Sequence, residues 1–178
     1  LVPGSDVILE NVGFNPTRTG LYDLLAAMGA SLGYPPTEAA SSHAASAQDA
    51  GDVGEPVAAL HIRGAGLRGV EVGGDLVVRA IDEFPIFAVA ATQAIGTTVI
   101  RDAAELRVKE SDRIATVAAE LRKMGADIEE HPEGMTVRGP AKLHGATVEC
   151  HRDHRLAMAL AVAGLVADEP TTVCGAEA

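Results

Sequence analysis

Tryptophan is absent from this 178-residue sequence, and aromatic residues make up only 3% of it. Its 47% hydrophobic content must therefore form a core from Ala, Val, Leu and Ile. There are only two cysteines, Cys150 and Cys174. That is too few for a disulfide scaffold, neither has metal-ligand spacing with another Cys or a His, and the usage fits a reducing cytoplasm. No apolar run reaches the ~18 residues of a membrane span, and no signal peptide is visible. Basic residues are scarce: 14 Lys and Arg against 25 Asp and Glu, for a net charge of −11. That balance argues against a nucleic-acid or anionic-membrane surface, so any anion site must be local and enclosed. The length suffices for one domain with a real core, and we read residues 1–178 as one domain. The abrupt start and stop read as a piece of a longer protein.

The most informative stretch is Arg107-Val108-Lys109-Glu110-Ser111-Asp112-Arg113. Before it, Gly96–Ile100 reads as a strand of β-branched residues behind a glycine. After it, Ile114, Val117, Ala118, Leu121 and Met124 form one apolar helix face. Ser111 or Asp112 is the expected N-cap, and Gly125 the stop. Lys109, Glu110 and Arg113 are thus expected where a helix begins, at free N–H groups and the positive dipole end. Two cations there favour an anion. A carboxylate beside them fits proton transfer next to that anion. Taken alone, such a run is more often a solvated cap; its company elsewhere in the chain decides.

The rest of the chain alternates strands and helices. Strands are expected at 7–12, 31–34, 57–63, 70–72, 148–150 and 171–174, and a hairpin over 127–138. Asn15-Pro16 should cap a helix running to Met28. Residues 86–95 and 156–166 are almost wholly apolar and should be buried helices. Residues 35–56, rich in Ala, Ser, Asp and Gly, read as a flexible excursion. The chain also repeats. Met28-Gly29-Ala30 returns as Met124-Gly125-Ala126 after 96 positions, whereas Arg63-Gly64 returns as Arg138-Gly139 after 75. The difference, 96 − 75 = 21, is about the length of the excursion. Without it the chain reads as two copies of strand–helix–hairpin–strand–helix.

The repeat organises the charges. If the copies pack side by side, their helix N-termini point to a common face holding Arg18, Lys109, Arg113 and Arg155, with Asp82 and Glu110 among them. Such a face suits a small, doubly anionic molecule, since arginine matches both carboxylate and phosphate. At Asp82-Glu83 a simple capping pair is an equally good reading.

Ile81-Asp82-Glu83-Phe84-Pro85, Arg107–Arg113 and Asp153-His154-Arg155-Leu156-Ala157-Met158, in this order and spacing, closely resemble the 5-enolpyruvylshikimate-3-phosphate synthase (3-phosphoshikimate 1-carboxyvinyltransferase) family. Asn15-Pro16-Thr17-Arg18-Thr19-Gly20 is also similar. The likeness spans nearly the whole chain. It implies an α/β enolpyruvyl transferase fold of two domains, each of repeated βαβαββ units with buried helices, an inside-out α/β barrel. It implies transfer of enolpyruvyl from phosphoenolpyruvate to the 5-hydroxyl of shikimate-3-phosphate, with release of phosphate and no metal or organic cofactor. By motif position Asp82 would hold and deprotonate the acceptor hydroxyl, and Glu110 would protonate the methylene carbon. Lys109 would bind shikimate-3-phosphate, and Arg113 and Arg155 would clamp phosphoenolpyruvate. Arg18, Asp153 and His154 would support.

Motifs of the family's amino-terminal half (Lys-Ser-x-x-x-Arg and Ser-Ser-Gln) and its closing Ser/Thr-Phe-Pro segment are not found here. The expectation is therefore a carboxy-terminal domain that folds alone but needs its amino-terminal partner domain for turnover. Two competing readings are an enolpyruvyl transferase with a different acceptor, such as UDP-N-acetylglucosamine, and a non-catalytic anion-binding domain. The former family lacks the Arg107–Arg113 run; the latter would gain nothing from Asp82 and Glu110.

Overall fold

The computed structural model describes residues 2, 4–33, 57–64 and 66–176. The expected excursion at 35–56 lies outside the described residues.

The two repeat copies share one order of elements, with one short helix extra in the first. The first is β1 (Asp6–Gly13), α1 (Gly20–Ala27), β2 (Ser31–Gly33), β3 (Val57–Arg63), β4 (Glu71–Val72) and, after a short α2 (Asp75–Arg79), the apolar α3 (Phe84–Thr92). The second is β5 (Gly96–Ile100), α4 (Arg113–Lys123), β6 (Asp127–His131), β7 (Gly134–Gly139), β8 (Thr147–Glu149) and the apolar α5 (His154–Val166), followed by β9 (Thr172–Cys174). Pairing repeats as well. β1 and β2 both run antiparallel to β3, and β5 and β6 both run antiparallel to β7. β4 then lies parallel to β5, as β8 does to β9. Gly29 and Gly125, the glycines of the two Met-Gly-Ala segments, both take left-handed φ, +89° and +93°. Each ends its helix where a side chain would be strained.

α3 is the centre. Phe84, Phe87, Ala88, Val89 and Ala91 are buried all round it, and α1, α4, α5 and β7 pack against it. Burying each phenylalanine contributes roughly 1.5–3 kcal/mol. A Cβ on Gly139 in β7 would lie 2.5 Å from the Ala94 carbonyl oxygen and 2.7 Å from that of Thr92. The C-terminal end of α3 therefore rests directly on β-strand backbone.

Three details differ from the sequence reading, and one choice it left open, the cap of α4, is settled. The segment after Asn15 is two pieces, a 3-10 turn (Pro16–Arg18) and then α1. The Asn15 side chain caps only the turn, and Gly20 opens α1 where a Cβ would meet the Arg79 carbonyl carbon at 2.6 Å. β4 is shorter than expected. Asp112, not Ser111, caps α4, accepting from the Ala115 N–H at 3.0 Å. Last, α5 is only half buried. Leu156, Ala159, Leu160 and Ala163 face α3 and α4, while Met158, Val162 and Leu165 are exposed, Leu165 by 83%. An apolar sequence all round does not bury a helix when, among the described residues, elements cover only one of its sides. Among the described residues no helix is long and apolar enough to cross a membrane.

Candidate functional site

Three helix starts converge on one guanidinium. Arg113, the first residue of α4, is only 1% exposed. Its Nε donates to Asp153 at 2.8 Å, its NH2 to Glu110 at 2.6 Å and to Asp153 at 3.3 Å, and its NH1 to Asp82 at 3.3 Å. Asp82 lies in a 3-10 turn (Ile81–Glu83) just before α3. Glu110 lies in the link before α4, and Asp153 is the N-cap of α5. Burying a charge is tolerated only when its hydrogen bonds are made, and here three carboxylates make them.

Asp153 is the fixed member. It is 0% exposed and also accepts from the Ser111 hydroxyl at 3.1 Å and from the Arg155 and Leu156 N–H groups at 3.0 and 3.3 Å. Burial pushes its carboxyl up. Hydrogen bonds from Arg113, the Leu156 N–H and Ser111, with the charge of Arg113, outweigh burial and hold it below the ordinary value. For Arg113 the balance has the same form: burial pushes down, and Asp153, Glu110 and Asp82 push the net value up. The pair is ionised on both sides. Asp82 and Glu110 are different, 33% and 46% exposed at their side chains.

Arg155 joins from α5. Its guanidinium lies 3.4 Å from Asp82 Oδ2 and 3.4 Å from Glu83 Oε1, and donates to the Asp82 carbonyl oxygen at 3.3 Å. The structure thus brings together Asp82, Glu110, Arg113, Asp153 and Arg155 of the expected residues. Lys109 is adjacent in sequence but paired with Glu105. Lys109 and Glu110 precede the N-cap rather than sitting in the first helical turn. His154 is exposed at the first position of α5, and Arg18 is exposed on the turn before α1. No hydrogen bond or ion pair of the described cluster reaches either one.

Sequence reasoning missed three contributors. Glu83 is a partner of Arg155. Ser111 is a donor to Asp153. Arg107 clamps the link, donating to the carbonyls of Pro132 and His131 at 2.8 and 2.6 Å and to Asp112 at 2.8 Å. The density of charge in 107–113 was the available signal; which charges point inward was not in it. An open groove of about 590 Å³ lies between Arg101 and His131, but none of the cluster residues lines it. The site is therefore placed by the charge cluster, not by that groove.

Comparison with known proteins identifies the family. The profile of the EPSP synthase (3-phosphoshikimate 1-carboxyvinyltransferase) family matches residues 1–178. A 3-phosphoshikimate 1-carboxyvinyltransferase of Geobacter sulfurreducens is 52% identical over 177 residues, 99% of this chain and 38% of that protein. One from Synechococcus elongatus is 50% identical over 178 residues, 100% of this chain and 37% of its own length. The chain therefore spans a little over a third of the curated relatives it matches. A solved EPSP synthase from Acinetobacter baumannii superposes with a TM-score of 0.85 at 42% identity, covering 98% of this chain and 38% of that one. The enolpyruvyl transferase NikO from Streptomyces tendae, at 22% identity and a TM-score of 0.67, shares the fold alone. With the profile matched from end to end and half of its residues identical to such relatives, the chain belongs to the EPSP synthase family.

Proposed function

We propose that this chain is the carboxy-terminal domain of a 3-phosphoshikimate 1-carboxyvinyltransferase acting in the cytoplasm, and that it carries the proton-transfer half of the active site. One observation carries the reading: a single buried guanidinium, Arg113, holds two partly exposed carboxylates, Asp82 and Glu110, side by side. Asp82 accepts the proton of the 5-hydroxyl of shikimate-3-phosphate as that oxygen bonds to C2 of phosphoenolpyruvate. Glu110, entering the step in its protonated form after leaving Arg113, delivers that proton to the C3 methylene, giving a tetrahedral intermediate, and recovers it from C3 in the elimination. Phosphate then leaves as C3 gives a proton back. In sum, the hydroxyl proton ends on the released phosphate, and no metal or organic cofactor enters the balance. Lys109 contacts shikimate-3-phosphate. Arg113 and Arg155 take the anionic groups of phosphoenolpyruvate, and Glu110, the more exposed partner, is the one displaced from Arg113 when they do. Arg18, Asp153 and His154 support.

The charge count explains why this half needs another. Asp82, Glu83, Glu110 and Asp153 are four carboxylates around two guanidinium groups, Arg113 and Arg155. Two phosphorylated substrates bind there only with further cations, which the amino-terminal domain supplies on closing. Phosphate release from phosphoenolpyruvate and shikimate-3-phosphate tests this. We expect none from the chain alone and release on adding the separately produced amino-terminal half of a relative. Absence of release while the halves demonstrably associate overturns the acceptor assignment.

A further inference from the structure

We propose that Glu120 is a positioning residue of this site: together with Arg113 it grips the turn from Glu149 to Arg155 at two points, and so fixes where Asp153 and Arg155 stand. Nothing in the reaction described above uses Glu120, yet it is only 2% exposed. It lies seven residues, two helical turns, after Arg113 on the same face of α4. Both of its oxygens are engaged by the turn. Oε2 accepts from the Glu149 N–H at 2.9 Å and from Lys123 Nζ at 2.7 Å, and Oε1 meets His151 Nε2 at 2.9 Å. Burial pushes the carboxyl up, but these donors outweigh it and hold the group ionised. An ionised carboxylate only accepts, so His151 must carry its hydrogen on Nε2.

The turn needs such a hold. His151 and Arg152 are consecutive non-glycine residues with φ of 53° and 61°. Left-handed pairs of this kind persist only where surrounding groups fix them. Directly after them come Asp153, which donates its N–H to the Cys150 carbonyl at 2.9 Å and caps α5, and then Arg155. Glu120 grips the turn just before the left-handed pair and at its first residue, and Arg113 grips it after. Releasing the first lets the pair relax and carries Asp153 and Arg155 out of register with Asp82.

The part of the test that concerns substrate rests on the reading under Proposed function; the rest does not. Glu120→Gln keeps the size and removes the charge. His151→Asn removes the ring while tolerating left-handed backbone. Each is expected to speed hydrogen exchange of the Arg155 and Leu156 amides by tenfold or more, and Glu120→Gln to shift the His151 ring hydrogen away from Nε2 in nitrogen NMR spectra. In the reassembled halves, each raises KM for phosphoenolpyruvate roughly tenfold with a smaller change in kcat, since sub-ångström misplacement of a binding group is costly. The double variant is no worse than Glu120→Gln alone, because the contact that His151→Asn removes is one that Glu120→Gln already disturbs. Unchanged exchange at Arg155 and Leu156 in both variants overturns the proposal, as does a double variant whose effects add. If the unsubstituted halves release no phosphate, the reaction reading fails and the exchange and NMR readouts still decide on Glu120. If Glu120→Gln does not fold, His151→Asn decides.

Discussion

Asp82 and Asp153 share one guanidinium, and each stands before an apolar helix of one repeat copy, yet their surroundings make them opposites. Asp153 is enclosed and accepts from two Arg113 nitrogens, a hydroxyl and two backbone N–H groups. Asp82 is one-third exposed and its ion-pair contacts are long, 3.3 Å to Arg113 and 3.4 Å to Arg155. A carboxylate whose lone pairs are all filled is part of the framework. One that is held loosely beside cations still has capacity to accept a proton from something else. The difference lies in enclosure and in the number of donors, not in residue type.

That contrast can be broken most directly at Asp153. Asp153→Ala leaves Arg113 buried without its main partner, and we expect a loss of about 3–5 kcal/mol in urea unfolding. Asp82→Asn should change stability by no more than about 1 kcal/mol, as for exposed pairs; equal losses at the two sites would remove the distinction. In the reassembled enzyme Asp82→Asn should instead lower kcat by roughly 10²–10⁴-fold, the range of a missing general base, with the fold intact by circular dichroism. The acid limb of stability sharpens the comparison further. The folded-state value of Asp153 is depressed. Its contribution is therefore complete above the unfolded carboxylate value near roughly pH 4 and is lost as pH falls through the lower folded value. Unfolding free energy should be flat from about pH 7 to 5 with respect to this group and fall below roughly pH 4, and Asp153→Asn should flatten that fall. The smallest effect belongs to Ser111→Ala, which removes one of several donors to Asp153 and should cost about 0.5–1.5 kcal/mol by the same unfolding measurement.

Much of this architecture was legible in the sequence because it follows from local periodicity. The β6–β7 hairpin, the helix after Asp112, the apolar helices and the two left-handed glycines all announce themselves within a dozen residues. The repeat made the convergence of helix starts predictable, and with it the meeting of Asp82, Glu110, Arg113 and Arg155. What stayed hidden depends on partners from distant segments. The sequence places Arg113 at a helix start, but nothing near it says that Asp153, forty residues away, will enclose it. Glu120 interrupts the apolar face of α4, which was a visible sign of a buried charge, but its partner sits on another element. The exposed row of α5 was misread for the converse reason: hydropathy reports what a helix can bury, not what is there to cover it. The repeat placed Arg18 on the common face and motif resemblance added His154, and the described cluster includes neither.

The bare backbone at Gly139 has a consequence at the far end of α3. That strand position acts as a stop against which the helix is seated, and Asp82 and Glu83 ride at the opposite end. The seating of that helix end, some nine residues from the carboxylates, thus depends on the absence of a side chain at Gly139. Adding one, as Gly139→Ala, would demand about an ångström of axial travel, and a rigid rod passes such travel along its length. Gly139 behaves like the shim beneath a spindle: it touches nothing that reacts, yet it calibrates the height of what does.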